Sequence, residues 1–271
     1  MYALDFEYDG QCLSDYGFVI CNFGDQSDMD IVSSGSTIVF NKVPKRHGKK
    51  HSRTHTYYDE CIQSTFQICK NPDTHNNLII TNDEYRDLVR WLNRHEFLPM
   101  QFLDEDILED ETCIYKASFN IEKININKNL YGLELTMETD APFGYALDKK
   151  ITLNITDTSK KYSVIDMSDE IGFVYPSLTI TCNSSGNLSI KNITEGCEMR
   201  IDGCSKGEVI TVDGESLIIS TTLNSHKIYN DFYFEFLRIG NTFDNRLNQI
   251  TASLPCTLEI KYSPIIKGSP D

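Results

Sequence analysis

Cys61-Ile-Gln-Ser-Thr-Phe-Gln-Ile-Cys69 places Ile62, Phe66 and Ile68 on one side of the chain and Gln63, Thr65 and Gln67 on the other. A period of two is what a half-buried antiparallel strand needs, because successive side chains leave opposite faces of the pleat. Leu133, Leu135 and Met137 repeat the pattern against Glu134, Thr136 and Glu138. Tyr115, Ala117, Phe119 and Ile121 also alternate. The phase then slips at Glu122-Lys123, which predicts a bulge or sharp bend before Ile124 and Ile126, and Asn127-Lys-Asn129 supplies a turn. The chain therefore reads as mainly β.

One segment has a different period. From Thr81 to His95 the residues Tyr85, Leu88, Val89 and Leu92 fall at i, i+3, i+4 and i+7, and Thr81 with Glu84 has the spacing of a capping box. This predicts one helix covering a face of the first sheet, with the sole tryptophan, Trp91, as a core residue. After Ala141-Pro-Phe-Gly-Tyr-Ala146 the character changes to short strands between turn signals at Gly186, Gly203, Gly207, Gly214 and Gly240. Leu188/Ile190, Met199/Ile201, Phe232/Phe234/Phe236 and Leu258/Ile260/Tyr262 read as alternating strands of a β-sandwich or jelly roll. Two domains follow, residues 1–147 and 148–271.

With 271 residues, 40% hydrophobic and 24% charged, the chain can bury two cores, and no stretch has the apolar length of a membrane span. The first residues carry acids and no basic patch followed by an apolar run, so no secretory signal is expected and synthesis is placed in a cytoplasm. The N-x-S/T sequons at Asn154, Asn183, Asn187 and Asn192 are then chance. The nine cysteines form no C-x-x-C pair and read mostly as small core residues. No G-x-S-x-G, H-E-x-x-H, P-loop or G-x-G-x-x-G pattern occurs, and no catalytic residue, cofactor or metal is implied. His47, His51 and His55 are four apart, but Pro44 and Gly48 argue against the helix that would align them as ligands.

The net charge is −15, yet residues 31–58 contain no acid and gather Lys42, Lys45, Arg46, Lys49, Lys50 and Arg53. Such a segment contacts DNA, pairs with an acidic surface, or is simply solvated. The acidic balance of the whole chain speaks against nucleic-acid affinity. Asp104, Glu105, Asp106, Glu109, Asp110 and Glu111 offer the opposite charge in a stretch read as a solvated loop. Docking of the basic loop on an acidic surface of an adjacent subunit or a neighbouring protein is the sharper alternative to solvation.

Several motifs together resemble one family, the distal tail (Dit) proteins of siphophages and related prophage tails. They are Tyr16-Gly17-Phe18-Val19, the basic Pro44–Gly48 loop ahead of a long strand pair, Trp91-Leu92 closing the helix, Leu98–Asp104, and Pro142-Phe-Gly-Tyr145. In the second half Tyr175–Ile180, Asn187–Asn192 and Phe236–Asn241 keep step. The resemblance implies an N-terminal β-sandwich or split-barrel-like domain with one helix, then a galectin-like β-sandwich. It also implies a non-enzymatic virion component: a homo-hexameric ring at the tail tip that joins the tail tube to the tail-associated lysin, fibre or receptor-binding protein and lets DNA pass, without specific nucleic-acid or membrane binding. The alternative is a carbohydrate-binding module. Tyr229 and Tyr233 are its candidate stacking residues, although core packing is the expectation for both.

Overall fold

The computed structural model describes residues 4–24, 61–103, 112–242 and 244–267 in full, and the backbone of residues 37–45 and 48–57. The chain divides into two compact units, residues 1–146 with 266–271, and residues 147–265.

The N-terminal unit contains β1 (Asp5–Tyr8), β2 (Gln11–Cys12), β3 (Phe18–Cys21), β4 (Thr37–Lys45), β5 (Gly48–Tyr57), β6 (Gln63–Lys70), α1 (Asn82–Leu92), β7 (Leu98–Leu103), β8 (Tyr115–Ile126), β9 (Asn129–Thr139) and β10 (Gly144–Tyr145). Seven of the strands form one antiparallel sheet in the order β2-β1-β7-β8-β9-β6-β3. The period-two reading holds at its centre: Phe66, Ile68, Leu133, Leu135 and Met137 are buried. On the outer face, register pairs Gln67 with Glu134 and Thr65 with Thr136, and their side chains bond at 2.9 and 3.3 Å.

The sheet curls. Three strands separate β1 from β6, which on a flat sheet is a gap of about 19 Å at the usual strand spacing. Yet the Phe6 and Phe66 rings meet with centroids 5.6 Å apart. A backbone hydrogen bond from Ile20 N to Leu4 O, 3.0 Å, joins the β3 edge back to the chain entering β1. This is the split-barrel arrangement, with Phe6, Tyr8, Phe66 and Phe119 inside and α1 packed on the opening.

Helix α1 starts as the capping box predicts. Thr81 is the N-cap, its hydroxyl accepting from Glu84 N at 3.3 Å, while Thr81 N donates to Glu84 Oε2 at 2.7 Å. Leu88, Trp91 and Leu92 are buried. Trp91 stacks on Tyr16 and Phe6 with centroids 4.6 and 5.6 Å apart and donates its indole N–H to Tyr8 O at 3.0 Å. Gly17, in the Tyr-Gly-Phe step, ends a short 3₁₀ turn (Leu13–Tyr16) at φ 76°, and a Cβ there would lie 2.5 Å from the His75 ring. Only glycine suits both demands.

The β8–β9 irregularity falls two residues later than expected. Ile124 lies opposite Gly132 and Asn125 opposite Leu130, so the additional residue, Tyr131, is on β9. Beyond Phe119 no residue of β8 is buried, and the loss of phase in the sequence marks that loss of burial. Asn127 and Lys128, at φ 51° and 72°, make the two-residue turn with both positions left-handed.

The second unit contains β11 (Lys149–Ile155), β12 (Tyr162–Ile165), β13 (Gly172–Val174), β14 (Ser177–Cys182), β15 (Gly186–Asn192), β16 (Cys197–Cys204), β17 (Val209–Val212), β18 (Ile219–Thr221), α2 (Ile228–Asp231), β19 (Ile239–Asn241), β20 (Leu247–Ala252) and β21 (Cys256–Tyr262); the short β22 (Ile265–Ile266) falls at the boundary of the two units. A five-stranded sheet, β11-β21-β14-β17-β18, faces a four-stranded one, β12-β20-β15-β16. Ile180, Ile210, Leu258 and Ile260 from the first pack in one core with Leu188, Ile190, Met199, Ile201 and Ile250 from the second. This is a β-sandwich.

Two expectations change here. Phe232–Phe236 is not a strand: only Phe232 is fully buried, Phe234 is exposed, and φ at Phe234 is 56°. The alternation reflects an aromatic cluster, with Phe232 centroids 5.2 and 5.0 Å from Phe234 and Phe236. The cysteines are less often core than expected. Cys182, Cys197, Cys204 and Cys256 are buried in the sandwich, Cys12, Cys21, Cys69 and Cys113 are half-buried, and Cys61 is exposed; all nine are free thiols. Of the sequon residues, Asn192 is fully buried, its amide donating to Arg238 O and Asn248 Oδ1 at 2.9 and 2.7 Å.

Candidate interaction sites

The basic segment is not a loop but a β-hairpin. Among the described residues β4 and β5 pair with each other alone, as a two-stranded sheet separate from the seven-stranded one. Register sets Lys42 opposite His51, Val43 opposite Lys50, Pro44 opposite Lys49, Lys45 opposite Gly48 and Phe40 opposite Arg53, with an irregularity at Val39/Phe40. Five of the six basic candidates thus share one hairpin. Arg46 and His47 lie outside the described residues, as do Asp104, Glu105, Asp106, Glu109, Asp110 and Glu111, the acidic candidates. The strand conformation of His51 and His55 removes the helical basis for a metal triad.

A second site is legible in the sequence only through Tyr229 and Tyr233, without their neighbours on β16. Glu198, Arg200 and Asp202 alternate along β16 between the buried Met199 and Ile201 and so leave the sheet on its outer side. The chain after α2 returns beside this edge: Ile201 bridges to Phe232, and Tyr233 N donates to Arg200 O at 3.2 Å. Phe232 turns inward, and Tyr233 stays 54% exposed, against the expectation of core packing. The Arg200 guanidinium sits 4.7 Å from the Tyr233 ring centroid, and the Tyr233 hydroxyl donates to Asp202 Oδ2 at 2.9 Å. That hydrogen bond raises the phenol above its ordinary pKa and keeps it a donor. Tyr229, on α2, is also exposed.

The start of this segment is fixed by a buried pair. His226 Nδ1 lies 2.6 Å from Glu208 Oε1 and its Nε2 3.4 Å from Asp231 Oδ2. Burial opposes charge on the imidazole, but Glu208, then Cys204 and Asp231, outweigh it and raise the pKa. Burial likewise opposes charge on Glu208. Hydrogen bonds from Thr221, the Ser205 N–H and His226 nevertheless hold its carboxyl below the ordinary value. An aromatic strand was expected at 232–236, and that reading hid the platform that Arg200, Asp202 and Tyr233 make together.

Among the described residues no group of three His, Cys, Asp or Glu side chains is placed to hold a metal, and no helix is long and apolar enough to cross a membrane. An open groove of about 410 Å³ runs over β14, β17 and β18 and is lined by hydroxyls of Ser177, Thr179, Thr211 and Ser220.

Residues 1–141 match the phage tail protein N-terminal domain family, and residues 143–262 match the phage tail C-terminal domain family. Comparison with curated proteins gives no match. A solved structure, that of the Dit (gp 19.1) protein of phage SPP1, described as a paradigm of the hub adsorption apparatus in phages infecting Gram-positive bacteria, is similar in fold. Its TM-score is 0.62 at 13% identity, covering 96% of this chain and 98% of that one. From the family match over both halves, the chain belongs to the phage tail proteins, and it carries the two-part β architecture seen in a distal tail protein.

Proposed function

We propose that this protein is the distal tail, or hub, component of a phage tail tip, working as a structural joint and not as an enzyme. Six copies form a ring through the N-terminal domain, residues 1–147, and the domain of residues 148–271 serves the attachment side. The ring links the tail tube to the lysin, fibre or receptor-binding protein and leaves a passage for DNA. The observation that carries this reading is the likeness to the SPP1 hub protein along nearly the whole of both chains. A binding motif on one domain would not account for it.

The β4–β5 hairpin supplies the contact. In a head-to-tail ring, different faces of identical subunits meet, and an acid-free basic hairpin finds a complement in the Asp104–Glu111 stretch of the next subunit or in a neighbouring tail protein. Light scattering across concentration and salt, with negative-stain images, tests the assembly: a particle of six times 31.0 kDa with a central hole is expected. Replacing Lys49, Lys50 and Arg53 together by Glu should weaken the ring most at low salt. Assembly indifferent to that change at every salt concentration would remove the hairpin from the interface.

A further inference from the structure

Tyr233 is exposed yet held in place twice. The Arg200 guanidinium covers its ring at 4.7 Å, and Asp202 accepts a 2.9 Å hydrogen bond from its hydroxyl. A surface tyrosine without a task is free to rotate; this one presents its uncovered surface in a fixed orientation. The next residue, Phe234, is 64% exposed and adopts a left-handed φ of 56°, a conformation that costs a bulky side chain free energy and that proteins tend to retain at functional positions. Tyr229, on the helix that opens the same segment, is 58% exposed. The His226–Glu208 contact fixes where that segment begins.

We propose that Tyr233, Arg200 and Asp202 form a shallow binding site for a neutral polysaccharide of a cell surface. The apolar face of a sugar ring stacks on an aromatic ring, and fixed acceptors and donors beside it read the hydroxyls. Asp202 offers a carboxylate that accepts, and Arg200 a planar fork of donors. Arg200 and Lys191 stand against Asp202, Glu198 and Glu235: Lys191 lies 3.2 Å and Arg200 3.8 Å from Glu198, and the Glu235 carboxylate accepts from Glu198 N at 3.4 Å, so the surface carries no excess positive charge. The platform therefore has little with which to attract an anionic polymer. A protein partner would favour a continuous apolar area, whereas here aromatic and charged groups alternate. Tyr233, 54% exposed, and Tyr229, 58% exposed, present an open surface suited to a chain lying across it.

The test is to probe the full-length protein on an array of neutral and anionic bacterial surface polysaccharides and to titrate the best neutral ligand by calorimetry. Wild type should bind at least one neutral polysaccharide with an affinity that salt leaves unchanged. Tyr233→Ala should weaken binding by about tenfold, as loss of one stacking contact implies. Tyr233→Phe, which keeps the ring and loses the bond to Asp202, should fall between, and Lys150→Ala on the opposite sheet should bind as wild type. Far-UV circular dichroism melts establish that each variant is folded. Failure of wild type to bind any neutral polysaccharide, binding confined to anionic polymers and abolished by salt, or a folded Tyr233→Ala that binds as wild type would each overturn the proposal. So would a platform whose substitution releases a co-expressed tail protein while no glycan binds.

Discussion

The Lys70 ammonium, buried beneath the sheet, lies 2.7 Å from Glu84 Oε1, and the same carboxylate accepts from the N–H and hydroxyl of Thr81 at 2.7 and 2.8 Å. One side chain thus neutralises a buried cation and closes the first turn of α1. Burial works against charge on Glu84, but these partners hold its pKa below 4.5. Its contribution is therefore present above that value and lost as the pH falls through the depressed one. Glu84→Ala should cost about 2–3 kcal/mol, since it removes a cap and strands a buried charge. Glu84→Gln, which can keep the capping box, should cost less. Urea denaturation followed by Trp91 fluorescence measures both.

His226 gives the second unit a pH dependence of the opposite sign. A raised folded pKa means that its contribution is complete below 6.5 and declines as the pH rises through the folded value. Glu208, with its lowered pKa, contributes above 4.5 and loses that contribution in acid. The pair should be at its strongest between those limits. Thermal melts should fall between mildly acidic and alkaline pH in wild type and flatten in His226→Gln; equal slopes in the two proteins would show that the pair is not the source.

Trp91 should dominate the stability of the N-terminal unit. Trp91→Ala removes two ring stacks and the donor to Tyr8 O, at a cost of about 3–5 kcal/mol. Trp91→Phe keeps an aromatic ring and leaves the carbonyl without that donor, costing about 1–3 kcal/mol. Circular dichroism melts read both variants.

The β8–β9 turn can be improved. Lys128 sits at φ 72°, which disfavours any residue with a Cβ, and Asn-Gly is the preferred pair for such a turn. Lys128→Gly should stabilise by about 1 kcal/mol in chemical denaturation, the relief of one left-handed residue.

The β architecture was legible because burial on one face imposes alternation, as in Gln63–Lys70, and the helix because Thr81 and Glu84 carry its start chemically. Curling of the sheet was not, because it depends on Phe6 meeting Phe66 across sixty residues of chain, which no local period records. Tyr233 was legible as a stacking candidate, but its exposure and its partners Arg200 and Asp202 were not, for a related reason. Phe232, Phe234 and Phe236 alternate as a strand would, and only the left-handed backbone at Phe234 sends their rings to different environments. Of the basic candidates, the sequence gathered the charges but not their hairpin register, because Lys and Arg carry little strand preference.

The separateness of β4 and β5 from the larger sheet bears on their length. Among the described strands the nine- and ten-residue ladder closes on itself, so a change in its length breaks no hydrogen bond of the seven-stranded sheet. The Phe6–Trp91 core need not be rebuilt for each new length.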